Sequence, residues 1–236
     1  MRMIRILIDK LFFILYKIVG AKKNYSCSCV MLLNFFSRMF ILSTSIVNIL
    51  DFFLFIEGET MLIGKKIPED IIFHVRVRDE SIGGENPFKW TTCSTKDYFA
   101  NKRVIIFSLP GAFTPTCSTY QLPGFEENYD EILNQNIDEI YCVSVNDSYV
   151  MNKWVLDQGI KKVKVIPDGS GKLTKEMNML VAKDDVGFGM RSWRYAALIN
   201  DSKVEKIWEE EGKMDNCPDD PYAETNPTKI LEDIKN

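Results

Sequence analysis

The chain has 236 residues, 46% of them hydrophobic and 26% charged, with a net charge of −4, six cysteines and one histidine. That length holds one domain with an extension or two small domains, and the composition excludes disordered, collagenous and disulfide-dense secreted classes. A lone histidine, His74, excludes any single-chain site built on two His ligands and makes every His-based Ser or Cys triad depend on it, while the mild acidity argues against a nucleic-acid partner.

Residues 1–60 differ from the rest: seven Lys and Arg stand against four Asp and Glu there, and 22 against 29 in residues 61–236. A basic start with Arg2, Arg5 and Lys10 runs into the apolar stretch Leu11–Tyr16, then into small and polar residues up to Ser28. That order reads as a secretory signal, and the acid-poor stretch to about Ile56 suits an organelle transit peptide, together a bipartite leader over 1–60. The rival is a membrane anchor. Asp51 interrupts the run from Met39 to Ile56, so no uncharged stretch reaches the roughly 18–20 residues needed to span, and no stable membrane insertion is expected once the leader is removed. Cys27-Ser28-Cys29 is read as chance, not as a metal site.

From Met61 on, the pattern is that of one folded domain, 61–236. Ile71–Val77 alternates as a strand with His74 inside it, and Gly83-Gly84 marks a turn. Arg103–Leu109 is nearly continuous in apolar residues, as in a strand buried on both faces, and Pro110-Gly111 ends it. Helical spacing over Ser118–Leu133, with a kink expected at Pro123-Gly124, leads to a second buried strand, Glu139–Val145. Strand, helix and strand in that order make a βαβ unit. A helix from Val150 to Gly159, a strand Lys162–Ile166, a helix Lys172–Val181, a hairpin of Tyr195–Ile199 with Lys203–Trp208, and a helix Thr228–Ile234 opened by Pro227 complete the reading. The fold class is α/β, with a central mixed sheet flanked by helices on both faces.

The loop Pro110-Gly111-Ala112-Phe113-Thr114-Pro115-Thr116-Cys117 places a cysteine in the first turn of a helix, beyond the carboxyl end of a sheet strand. Open α/β sheets bind ligands there, and the helix end favours a thiolate over a thiol. An arbitrary cysteine is more often a small buried hydrophobe than a nucleophile; this one follows a proline-punctuated loop with a hydroxyl three residues earlier. A disulfide reductase needs Cys-x-x-Cys, so that a second thiol can release the mixed disulfide. Thr114 occupies that first position and argues against the activity.

Pro110, Thr114 and Cys117 in this spacing form the active-site signature Pro-x-x-x-Thr-x-x-Cys of the peroxiredoxins, which the chain from Met61 to Asn236 resembles. The longer string through Ser118, with Leu122–Phe125, Cys142–Asp147 and Trp154, is similar to the type II, peroxiredoxin-5-like branch, and within it to one-cysteine antioxidant members with plastid or mitochondrial leaders. Arg191–Tyr195 resembles the stretch carrying that family's catalytic arginine; Arg194 matches it by position and Arg191 is the second choice. The resemblance implies a thioredoxin-like fold and a thiol peroxidase acting on hydrogen peroxide and alkyl hydroperoxides. Cys117 would attack the peroxide and become a sulfenic acid, shielded by Pro110, with Thr114 holding the peroxide and Arg194 stabilising charge. No metal or bound organic cofactor is implied; glutathione serves as reducing co-substrate.

Two routes could reduce the sulfenic acid. Cys142 lies in a buried strand, and Cys217, in a loop, is the rival resolving thiol. In the two-cysteine branch that the chain resembles, however, the resolving thiol stands just before the last helix, where Glu224 or a neighbour falls here. The resemblance therefore implies a one-cysteine route through glutathione and glutaredoxin over internal resolution by Cys217 or Cys142 with thioredoxin. A non-enzymatic peroxide-sensing or chaperone-like module is the remaining alternative. A homodimer is implied by the family, and the leader points to a plastid first, a mitochondrion second and the cytosol third.

Overall fold

The strand Ile72–Arg78 (β1) pairs antiparallel with Phe88–Ser94 (β2) in the computed structural model, which describes residues 62–85 and 87–235. The sequence reading anticipates β1 but not β2, whose Lys89, Trp90, Thr91 and Thr92 are all exposed and give no apolar alternation. His74 is exposed on β1. A short helix, Thr95–Phe99 (α1), follows, its start closed by reciprocal hydrogen bonds between Ser94 and Asp97.

Arg103–Leu109 (β3) is the middle strand of a five-stranded sheet. It runs parallel to Glu139–Ser144 (β4), which runs parallel to Lys164–Pro167 (β5). Two short strands, Leu180–Lys183 (β6) and Gly189–Ser192 (β7), form a separate ribbon. Tyr195–Asn200 (β8) then lies antiparallel to β3, and Lys203–Glu209 (β9) closes the far edge, giving the order β5-β4-β3-β8-β9. The sheet is mixed, as expected from the βαβ order followed by a hairpin.

Alternation along β3, β4 and β8 sends side chains into two cores. Ile105, Phe107, Ile140, Cys142 and Leu198 point into one core, which also holds Leu122 and Phe125 of the helix Leu122–Glu127 (α2), Ile132 of Tyr129–Leu133 (α3), Trp154 of Ser148–Asp157 (α4) and Ile230 of the final helix, Pro227–Lys235. Val104, Ile106, Tyr141, Val143 and Tyr195 point into the other, with Phe99 of α1, Leu173 of Lys172–Glu176 (α5) and Trp193. Helices therefore cover both faces. In chain order the final helix is α6.

Two helices depart from the sequence reading. The stretch Ser118–Leu133 is not one helix kinked at Pro123. Cys117–Gln121 forms a π turn, α2 follows, and the break falls at Asn128, ahead of α3. Pro123 cannot donate to the carbonyl four residues back, and the wider turn before it accommodates its ring. Helix α5 stops at Glu176, not Val181, because Asn178 adopts a left-handed φ of 55° and Leu180–Lys183 pairs as β6.

The described residues belong to a unit spanning Gly58–Asn236. The leader expected over 1–60, with Cys27 and Cys29, lies outside the described residues. Among the described residues no helix is long and apolar enough to cross a membrane.

Candidate active site

Strand β3 ends at Leu109, and the buried Pro110 turns the chain into a loop held by few but specific contacts. Gly111 packs beside its neighbours, where a Cβ would stand in ordinary contact, 3.4 Å from Thr114 Cγ2 and 3.5 Å from Arg191 Nη1. Phe113 takes a left-handed φ of 64°, costly for a phenylalanine, and this reverses the chain just before Thr114. Asn146 Oδ1 steadies the loop by accepting from the Ala112 N–H at 3.0 Å and the Ser144 hydroxyl at 2.7 Å.

Thr114 donates its hydroxyl hydrogen to the Gly111 carbonyl at 2.8 Å. Its own carbonyl accepts from the Ser118 N–H at 3.0 Å, so the helical turn begins there, with Pro115 and Thr116 already helical. Cys117 is thus in the first turn, where the main-chain N–H groups precede the first intrahelical bond. Its side chain is fully buried.

Arg194 stands at the start of β8 and is 1% exposed. Its Nη1 donates to Cys117 Sγ at 3.4 Å and also to Gln121 Oε1; Nη2 pairs with Asp220 Oδ1, and the Tyr222 ring lies 5.7 Å from the guanidinium. Burial alone would lower the arginine's pKa, but charge on Cys117 and the Asp220 carboxylate outweigh it and hold the guanidinium above its ordinary value. Burial pushes the Tyr222 phenol up to about 12, so it stays neutral. Arg191, the second choice from sequence, turns elsewhere: Nη1 donates to the Val145 carbonyl and Nε to the Phe188 carbonyl, both at 3.0 Å. It ties β7 to the segment just past β4 and leaves Cys117 to Arg194.

The structure therefore brings Cys117 and Arg194 into contact from positions 77 residues apart, with Pro110 and Thr114 in the loop leading to the cysteine. Residues 89–225 match the Redoxin family model. A peroxiredoxin of Sinorhizobium fredii is 58% identical over 175 residues, covering 74% of this chain and 93% of its own. A peroxiredoxin of Rhizobium etli is equally similar, at 58% over 175 residues, 74% of this chain and 97% of its own. The chain belongs to the peroxiredoxin family. As a peroxiredoxin it is a thiol peroxidase, an oxidoreductase. The crystal structure of the Plasmodium falciparum antioxidant protein, described as a 1-Cys peroxiredoxin, superposes with a TM-score of 0.67 at 38% identity, covering 73% of this chain and 98% of that one.

The other described cysteines of this peroxiredoxin are unpaired thiols. Cys142 is fully buried in the same core as Cys117, and its thiol is pushed well up, first by burial and then by charge on Cys117. Cys217 is buried against the opposite face of the sheet, where its carbonyl accepts from the buried Lys183 at 2.9 Å. Cys93 is half-buried at the end of β2. Among the described residues no cluster of three His, Cys, Asp or Glu groups could hold a metal ion. Sequence reasoning missed Gln121, Asp220, Tyr222 and Asn146. Gln121 lies four residues after Cys117, a helical neighbour position that signals a shared face; Asp220 and Tyr222 come from a loop whose path no local pattern announces.

Proposed function

We propose that Cys117 is the peroxide-reactive thiol, working with Thr114, Arg194 and Pro110, and that the enzyme is regenerated by glutathione and glutaredoxin. The contact between Arg194 Nη1 and Cys117 Sγ carries the reading: a buried, permanently charged donor 3.4 Å from the sulfur stabilises a thiolate inside the protein. The thiolate attacks one peroxide oxygen, the S–O bond forms as the O–O bond breaks, and the electron pair leaves with the second oxygen, which takes a proton to depart as water or alcohol. Sulfur is oxidised to sulfenic acid and the peroxide is reduced. Because the Thr114 hydrogen is committed to the Gly111 carbonyl, its oxygen is left to accept from the peroxide O–H. Arg194 meets the negative charge as it moves from sulfur to oxygen. Pro110, buried beside the strand end, keeps bulk water from the sulfur. Hydrogen peroxide and alkyl hydroperoxides are the proposed substrates.

A one-cysteine route is supported by the burial of Cys142 and by the placement of Cys217 on the far face of the sheet. Glutathione then forms a mixed disulfide with Cys117, and glutaredoxin removes it. The similar Plasmodium protein bears the 1-Cys description. The test is peroxide turnover with glutathione and glutaredoxin. Cys117→Ser abolishes it; the double variant Cys142→Ser, Cys217→Ser retains it. Loss in the double variant, with turnover restored to the parent by thioredoxin, would instead favour internal resolution.

The same proposal takes residues 1–60 as a removable leader directing the enzyme to an organelle, a plastid before a mitochondrion, and the mature unit as a homodimer. The two rhizobial relatives match 74% of the chain, so the proposal rests on the basic, apolar and acid-poor order of the first sixty residues. Fusing residues 1–60 to a fluorescent reporter tests the destination, and analytical ultracentrifugation the assembly.

A further inference from the structure

Gln121 meets the arginine through one atom, its carboxamide oxygen, which accepts from the same Arg194 Nη1 that reaches Cys117 Sγ at 3.4 Å. The two acceptors come from opposite ends of one π turn, Cys117–Gln121, closed by the Leu122 N–H donating to the Cys117 carbonyl. Gln121 is fully buried, and its Nε2 has no hydrogen-bond partner. That orphaned donor is informative, because buried polar groups are ordinarily satisfied. A glutamate would accept the same hydrogen bond and leave no donor stranded, so hydrogen bonding alone does not account for a carboxamide here. Charge does. Asp220 already places one carboxylate on the guanidinium from the half-exposed side. A second carboxylate at 121 would be buried beside the sulfur, where screening is weak, and would oppose a thiolate.

We propose that Gln121 is a positioning residue for the reaction: its neutral carboxamide fixes the Arg194 guanidinium against Cys117 while leaving that guanidinium's charge to the sulfur. The inference rests on Cys117 being the peroxide-reactive thiol. It assigns to one side chain two separable effects, one on geometry and one on charge.

The test follows thiolate ultraviolet absorbance and the second-order rate with hydrogen peroxide across pH, in the full chain and its variants. Gln121→Glu moves the midpoint of both curves up by about one unit, so the rate at neutral pH falls about tenfold and recovers under alkaline conditions. Gln121→Met, similar in volume and uncharged, lowers the alkaline plateau about tenfold, because Arg194 loses its tether, and moves the midpoint up by less than Gln121→Glu does. Asp220→Asn, at a half-exposed carboxylate, moves the midpoint down; it decides the charge argument should Gln121→Glu not fold. An unmoved midpoint in Gln121→Glu, or in Asp220→Asn where the former is unfolded, overturns the charge argument. A full plateau rate in Gln121→Met overturns the positioning. Cys117→Ser separates these failures from failure of the peroxidatic reading: a wild-type peroxide reaction that survives Cys117→Ser removes the reading on which the proposal stands.

Discussion

The 3.4 Å contact of Arg194 with Cys117 brings together a buried thiol and a cation that are far apart in sequence. Lysine cannot replace that arginine: the guanidinium holds Cys117, Gln121 and Asp220 at once through two terminal nitrogens, and a single ammonium cannot span them. Arg194→Lys is therefore expected to lower kcat/KM for hydrogen peroxide by about a hundredfold. Thr114→Val, which keeps the shape and removes the acceptor, should cost a similar factor of about a hundred. Stopped-flow rates measured on protein of unchanged circular dichroism check both. At this scale the sequence was legible where a motif is local. Pro110, Thr114 and Cys117 share one loop, and Arg194, singled out by the resemblance of Arg191–Tyr195 to a peroxiredoxin stretch, is the arginine in contact with Cys117. Asp220 and Tyr222 were not found, because their approach depends on the path of the loop between β9 and α6.

That path is set by a buried carboxylate. Glu210, just past β9, accepts from the Ala223 N–H, the Thr225 N–H and the Thr225 hydroxyl, drawing the loop with Asp220 and Tyr222 back over Arg194. Glu210→Ala orphans those donors and should destabilise the fold by about 2–4 kcal/mol in urea unfolding. Helix α2 is seated differently. Phe125 stacks on Phe107 of β3 with ring centroids 3.9 Å apart, both fully buried. Phe125→Ala should cost about 3–5 kcal/mol and slow the peroxide reaction, since the π turn bearing Cys117 runs directly into α2. Element existence was readable from apolar runs such as Arg103–Leu109, which the sequence bounded correctly. Helix ends were not, because the π turn and the stop at Asn178 arise from a proline's missing N–H and from strand pairing, neither visible in periodicity. Strand β2 was missed for a related reason: its exposed face leaves no alternation to detect.

Across the molecule, the sheet divides the cysteines. Cys117 and Cys142 lie in one core and Cys217 in the other. The chain's response to acid also belongs to this scale. Glu69, Asp97 and Asp233 are held below their ordinary values by hydrogen bonds and neighbouring lysines, and Asp79 is lowered to about 2, first by its hydrogen bond to Lys89 and then by Ser81. A carboxylate lowered on folding adds stability that is present above its unfolded value, near 3.8 for aspartate, and is lost as pH falls through the folded one. Asp168 acts in the opposite sense: burial raises it against three hydrogen bonds from Leu173 and Thr174, so its contribution to stability declines as pH rises through the region above 3.8. The several lowered groups outnumber it. Thermal unfolding should therefore show the melting temperature falling between about pH 4 and pH 2, and Asp168→Asn should flatten the curve above that range.

Arg194 sits one residue before Tyr195, and Tyr195 pairs with Ser108 in the ladder between β3 and β8. The arginine and the loop that leads to the cysteine thus leave from the same end of the central hydrogen-bonded ladder, whose last rung is Ser108 with Tyr195. Opening of surface turns elsewhere leaves the separation of these two anchor points unchanged. Amide exchange at the buried Ser108 and Tyr195 should accordingly be far slower than in the surface turns, so the two anchor points should hold their spacing on heating after those turns have opened.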